Sequence, residues 1–319
     1  MRVSLSTHPS PMTGPCDWPD DWRQRLDTPL PLTFGAKDWH HRIRLAWEGA
    51  LPAPDPVVRM SDGLLHFASG KSASGVALLP DHITRCAVLM FHDHGGRFDT
   101  GWRKLTEDPQ GFYSGPPARR LVAAGHPVFV FDALGWGARQ LPGDQQAMAC
   151  MAMGLGTSLA GLVAGEDRDI ATWLAQQPEA KHGLAVWGFS FGGFRAWQCL
   201  ATTPCVDAAI SLSWMARRRE LLRLNAPVTA GQAAFWMLHP TLTGLADLPD
   251  LAAAGAPRRL FLRSGNVDRH LPMAAVEPAF NDLRRIWPVD AAIFEGGHVC
   301  PPEVQREALA FLSSPGCSR

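Results

Sequence analysis

The sequence predicts an α/β protein built on a mostly parallel, doubly wound sheet. Three observations carry this expectation. From residue 86 onward, short apolar runs bounded by turn residues alternate with helical stretches, the pattern of strands buried on both faces and joined by helical crossovers. Hydrophobic residues make up 46% of the 319 and charged residues 19%, enough apolar material for a large core and too little charge for disorder. The residues with reactive side chains fall just after strands, where open parallel sheets bind their ligands.

Taken in order, residues 1–54 form a segment rich in proline and tryptophan, with Trp18, Trp22, Trp39 and Trp47 and a helix expected over 38–48. It reads either as a cap lining a substrate entrance or, preferably, as an arm that packs its tryptophans on the main domain. Residues 52–56 look like a linker, and 57–60 with 64–79, interrupted at Gly70 and Gly75, suggest an antiparallel hairpin. The run 86–91 is a buried strand. A helix ends at the C-cap Gly125, and the next strand covers 127–132. A helix over 166–177, a strand over 184–187 and a helix over 194–201 follow. Strands at 206–212, 259–263 and 289–294 complete the series, and the last helix, over 302–312, carries proline in its first turn. The main domain therefore spans 55–315. An insertion over about 213–257 precedes the strand at 259, and its Trp214, Phe235, Trp236, Met237 and Leu238 suit either an apolar lid or a helix pair covering the sheet. Met148, Met151 and Met153 beside Leu155 either line the same pocket or fill core. Arg217, Arg218 and Arg219 read as a solvated face.

Charge and cysteine usage narrow the function classes. Thirty Lys and Arg balance thirty Asp and Glu, so neither nucleic acid nor an anionic membrane is expected as the main partner. The first residues have no apolar leader, and no run approaches a membrane span. Seven cysteines without a Cys-x-x-Cys pair fit a reducing compartment, and the expected location is cytoplasmic.

The chemistry centres on Gly188-Phe189-Ser190-Phe191-Gly192, a Gly-x-Ser-x-Gly pattern between a strand and a helix. Such a turn lifts a serine hydroxyl above the sheet and aims the following N–H, here that of Phe191, at any oxyanion formed beside it. A hydroxyl needs an imidazole to take its proton, and the imidazole needs a carboxylate on its other nitrogen. The loop after the strand at 259–263 offers Asp268, and the loop after the last strand offers His298 behind Gly296-Gly297. His270 as base and Glu295 or Asp207 as acid are weaker rivals, Asp207 lying at a strand start. The loop Phe91-His92-Asp93-His94-Gly95-Gly96-Arg97-Phe98 is expected to supply a second oxyanion donor, Gly96 or Gly95, worth about 3–4 kcal/mol in the transition state. His94, Trp214 and Trp236 are candidate pocket residues. A zinc reading of His92, Asp93 and His94, helped by His126 or Asp132, is disfavoured because the serine site already holds a nucleophile and a base; no metal is expected.

With these pieces in place, the chain resembles the α/β-hydrolase superfamily, in the dienelactone-hydrolase and acetyl-xylan-esterase-like branch. The resemblance rests on the segments 92–96, 132–139, 154–179 with Asp167-Arg168-Asp169, 188–193, 251–258, Asp268 with Pro272, and Gly296-Gly297-His298, and it covers about residues 55–315. It implies a cofactor-free serine hydrolase of short-acyl esters with an α/β-hydrolase fold, acting on a small-molecule ester and leaving a homo-oligomer open. Dienelactone hydrolases proper carry cysteine where this chain has Ser190, so their lactone substrate is not implied. Cys300 lies outside the elbow and reads as a packing residue. A peptidase or amidase on the same triad, and a non-catalytic binding protein on the same fold, are the alternatives.

Overall fold

A computed structural model describes residues 26–140, 143–222, 226–231 and 233–314. Nine strands form one sheet: β1 Val57–Ser61, β2 Leu64–Phe67, β3 Ser72–Leu78, β4 Ala87–Phe91, β5 Val128–Phe131, β6 Leu184–Phe189, β7 Ala208–Leu212, β8 Arg259–Gly265 and β9 Asp290–Phe294. Their spatial order is β1-β2-β3-β5-β4-β6-β7-β8-β9. The first three make an antiparallel meander that joins β5 antiparallel, and β4 through β9 run parallel. Every residue of β4, β5, β6 and β7 is buried, which is why these strands read as unbroken apolar runs. Their side chains alternate between two cores. Leu89, Phe91, Phe129, Phe131 and Val186 enter one, while Val88, Met90, Val128, Val130, Ala185 and Trp187 enter the other.

The chain leaves β4 toward β5 on one side and returns to β6 on the other. In open parallel sheets a reversal of this kind, here between β4 and β6, marks the strand ends where ligands bind. The longest helices packed on the first core are Trp39–Ala50, Leu159–Leu174, Phe191–Thr202 and Met273–Ile286. The helix Leu159–Leu174 starts two turns earlier than the sequence suggests, with the Ser158 side chain accepting from the Gly161 N–H as its cap. Its first turns escape notice because glycines interrupt them. Gly161 and Gly165 are there for contact: a Cβ on either would lie 2.6 Å from the Ala50 carbonyl or 2.5 Å from the Pro52 ring. Gly75, expected as an interruption, sits inside β3, where a Cβ would meet the Val130 carbonyl at 2.2 Å.

The described part of the N-terminal segment packs on the main body. Trp39, Ile43, Trp47 and Ala50 form one buried face; Trp47 lies edge-on to Trp197 and donates to the Leu251 carbonyl at 3.2 Å. Trp18 and Trp22 lie outside the described residues. The insertion is not a single helix pair. Its described residues form five short helical segments, Arg218–Leu221, Pro227–Ala230, Ala234–Met237, Pro240–Thr243 and Leu248–Ala252. Two of the three arginines are not a solvated face. Arg217 makes a bidentate pair with Asp282 (2.6 Å each), and the mostly buried Arg218 donates to the Thr243 carbonyl at 2.8 Å. The methionine stretch also departs from expectation, because Met151, Met153 and Leu155 are exposed and only Met148 packs on the core.

Candidate active site

Ser190 follows β6 with φ 56° and ψ −123°, a conformation side chains seldom adopt. Holding it there costs about 1–3 kcal/mol and requires neighbours that enforce it. Those neighbours are backbone. The Ser190 N–H donates to the Leu212 carbonyl at 2.8 Å, and its carbonyl accepts from the Phe194 N–H at 3.0 Å. A Cβ on Gly188 would meet the Gly192 backbone at 2.0 Å, one on Gly192 the Phe91 carbonyl at 2.1 Å, and one on Gly193 the Leu212 carbonyl at 2.5 Å. The glycines of the motif thus let the helix Phe191–Thr202 press against β4 and β7, which sets its N-terminus beside the loop that follows β4.

The loops after β8 and β9 are laid on each other. A Cβ on Gly265 would strike the Gly296 and Gly297 carbonyls at 2.3 and 2.4 Å, and Asn266 Oδ1 accepts from the Gly296 N–H at 3.0 Å. This stacking brings Asp268 and His298 together. His298 Nδ1 lies 2.7 Å from Asp268 Oδ2, and His298 Nε2 lies 2.9 Å from Ser190 Oγ. Burial pushes the Asp268 carboxyl up, but the hydrogen bond and charge of His298 and the N–H groups of His270 and Leu271 outweigh it and hold it below the usual range. An ionised Asp268 accepts from Nδ1–H, which leaves Nε2 free to accept from the serine hydroxyl. The rivals fall away. His270 packs edge-on to His298 and meets Asp268 through its backbone N–H, Asp207 accepts from the Leu184 N–H at the opposite end of the sheet, and Cys300 is buried.

On the other flank lies the loop after β4. His92, fully buried and therefore kept neutral, donates from Nδ1 to the Asp93 carbonyl at 2.9 Å and accepts the Ala133 N–H on Nε2 at 3.2 Å. Gln110 Nε2 donates to the Gly95 carbonyl at 2.7 Å. Gly96, expected as the likeliest oxyanion donor, has its N–H turned onto His94 Nδ1 at 3.3 Å. Among the described residues the N–H groups of Gly95 and Phe191 have no protein acceptor. Burial lowers His94 to about 4, and its Nε2–H reaches Gln145 Oε1 at 3.3 Å.

The pocket candidates separate. His94 packs on Phe98 and Trp136; Trp136 stacks on Phe191 with centroids 5.2 Å apart, and Trp236 lies behind both, donating to Gln145 Oε1 at 2.6 Å. Trp236 is thus a second layer of this wall. Trp214 sits against Phe194 of the nucleophile helix and donates to Met237 Sδ. Trp136 and Gln145 were not among the sequence candidates, although Trp136 lies in the Asp132–Arg139 stretch already singled out. The residues of the zinc reading serve the backbone instead. His126 binds the Cys86 carbonyl, Asp132 accepts from Trp102 N and Ala138 N, and no cluster of three or more His, Cys, Asp or Glu is placed to hold a metal among the described residues. The Asp167 of the motif makes a buried bidentate pair with Arg195, tying the nucleophile helix to Leu159–Leu174 (2.9 and 2.7 Å).

The parallel sheet reversing at β4, the elbow after β6 and side chains converging from the ends of β8 and β9 are the α/β-hydrolase fold. Comparison with known proteins agrees. No family model matches the chain. It is 21% identical over 234 residues, 71% of its length and 77% of the relative's, to the "Putative hydrolase YtaP" of Bacillus subtilis (strain 168). Among solved structures it is similar to a "putative acetyl xylan esterase" of Bacteroides fragilis (TM-score 0.64, 18% identity, 86% of this chain and 81% of that one). It is also similar to the Pyrococcus furiosus esterase Pf2001 (0.56, 17%, 82% and 98%) and to acetyl xylan esterase 1 of Thermoanaerobacterium sp. JW/SL YS485 (0.54, 16%, 93% and 100%). Among the described residues no single helix is long and apolar enough to cross a membrane.

Proposed function

We propose that the protein is a serine hydrolase that cleaves carboxylic esters, with short, acetyl-type acyl groups preferred. The observation that carries this is the unbroken chain from Ser190 Oγ through His298 to Asp268, at 2.9 and 2.7 Å. Ser190 attacks the ester carbonyl while His298 Nε2 takes its proton, and the ionised Asp268 stabilises the imidazolium. The Phe191 N–H, at the N-terminus of its helix, and an N–H of the loop after β4 stabilise the tetrahedral oxyanion. The imidazolium returns the proton to the leaving alcohol, and a water, deprotonated by His298, attacks the acyl-enzyme and frees Ser190 and the acid. The preference for short acyl groups is supported by the esterase and acetyl xylan esterase neighbours and by the filled aromatic wall of Trp136, Phe191 and Trp236 beside the elbow.

The test is labelling with a fluorophosphonate, followed by hydrolysis of p-nitrophenyl acetate, butyrate and octanoate. Labelling lost in Ser190→Ala, with rates falling as the acyl chain lengthens, is expected. A folded protein that does not label overturns the reading.

A further inference from the structure

The loop after β4 is held by a residue that the mechanism above does not use. Lys104, from the short helix Arg103–Glu107, has a side chain that is 1% exposed. Its Nζ donates to the carbonyls of Asp93 at 3.0 Å and His94 at 2.7 Å and lies 3.8 Å from Asp93 Oδ1. An ammonium has three donors, and this geometry spends two on consecutive carbonyls and turns the third toward a carboxylate. His92 adds a second donor to the Asp93 carbonyl. Removing the ammonium would leave both carbonyls and the buried Asp93 carboxylate without it, so the lysine fixes the shape of this loop.

The consequence is directional. In a trans peptide the carbonyl and the N–H of the same unit point in opposite directions, and the only cis bond among the described residues is Ala256–Pro257. With the Asp93 and His94 carbonyls drawn to the ammonium, the N–H groups of His94 and Gly95 face away from it. Neither has a protein acceptor among the described residues, whereas the next N–H, of Gly96, is engaged by His94 Nδ1. Gly95 adopts φ +51°, and a Cβ there would collide with Asp93 Oδ1 and Gln110 Oε1 at 2.4 and 2.3 Å, so the turn is tightly determined. The end of β4 abuts the start of the nucleophile helix, since a Cβ on Gly192 would lie 2.1 Å from the Phe91 carbonyl and 3.1 Å from that of His92.

Resting on the serine-hydrolase reading, we propose that Lys104 is a positioning residue. By pulling two carbonyls inward it presents the N–H groups of His94 and Gly95 as the oxyanion donors opposite Phe191, and its positive charge at the carbonyl ends of both peptides strengthens those donors. The charged and titratable groups around it are Asp93, His92 and His94 on the loop, and Arg97 and Asp99 on the segment that follows. Burial lowers the ammonium to about 8, Asp93 and Asp99 oppose this, and Arg97 adds to it. Above that pH the amine still donates hydrogen bonds but loses its charge.

The experiment compares full-length wild type, Lys104→Met and Lys104→Arg on p-nitrophenyl acetate between pH 6.5 and 10, with the affinity of a trifluoromethyl ketone as a probe of the oxyanion site. Wild type is expected to lose kcat as pH rises through about 8. Lys104→Met should lower kcat about 100-fold with KM little changed, weaken the ketone in proportion and lose the alkaline decline. Lys104→Arg should recover part of kcat and keep activity to higher pH. A folded Lys104→Met with kcat, ketone affinity and pH profile near wild type overturns the proposal and leaves the serine-hydrolase reading standing. If Lys104→Met does not fold, Lys104→Gln is read in its place, since a folded Lys104→Gln with kcat and ketone affinity near wild type overturns the proposal. A wild type that neither labels with fluorophosphonate nor turns over esters removes both.

Discussion

The two flanks of Ser190 are built from different parts of the chain. On one side, the side chains of Asp268 and His298 are brought together because the loops after β8 and β9 rest on each other at Gly265, Gly296 and Gly297. On the other side the proposed oxyanion donors are backbone N–H groups, and the side chains of His92, Lys104 and Gln110 hold the neighbouring peptide carbonyls. The first flank depends on which residue stands at each position. The second depends on how far the supporting residues immobilise main chain that any sequence would possess. A site of this kind has one half that tolerates almost no substitution and another that degrades in steps as its props are removed.

The largest contrast should come from the side-chain flank. Asp268→Asn presents the wrong tautomer of His298 to Ser190, and kcat on p-nitrophenyl acetate should fall about 10⁴-fold with KM nearly constant. A fall of less than tenfold would break the comparison. Next is the elbow itself. Gly192→Ala places a methyl 2.1 Å from the Phe91 carbonyl, against backbone that cannot move aside, so urea denaturation should report about 2–3 kcal/mol of lost stability.

The backbone flank should respond more gently. Gln110→Leu removes the donor to the Gly95 carbonyl and should cost about 1–2 kcal/mol, read as a roughly tenfold lower kcat with little change in melting temperature. A loss as large as that of Asp268→Asn would show that the two flanks are equally brittle. The smallest effect is expected at the second layer. Trp236→Phe keeps the ring against Trp136 but loses the hydrogen bond to Gln145, which should lower stability by about 1 kcal/mol and leave kcat within about threefold.

The asymmetry also explains what could be read in advance. Ser190, Asp268 and His298 stood out because each is a reactive residue type placed after an apolar run, and the runs themselves marked the strands. The same reasoning ranked Gly96 first as oxyanion donor, because a pair of glycines signals loose backbone but not the direction of an N–H; the structure engages that N–H with His94. Lys104 and Gln110 lie in a stretch between β4 and β5 with no strand period and no motif, so nothing local connected them to the site. Trp214 and Trp236 were alike in sequence, two tryptophans in one insertion, yet one backs the wall beside Phe191 and the other lies under Phe194. Arg217 and Arg218 looked solvated because their partners, Asp282 and the Thr243 carbonyl, are remote in the chain.

By itself, then, the sequence determined the parallel sheet, the elbow and the candidates Asp268 and His298, because hydrophobic runs and residue types are local properties that survive without knowledge of neighbours. Only the tertiary structure decided which N–H groups of the loop after β4 find an acceptor, which tryptophans pack near Phe191 and what holds that loop. Those follow from contacts between segments far apart in the chain, such as a buried ammonium on one segment meeting two carbonyls on another, and such contacts leave no trace in the order of residues.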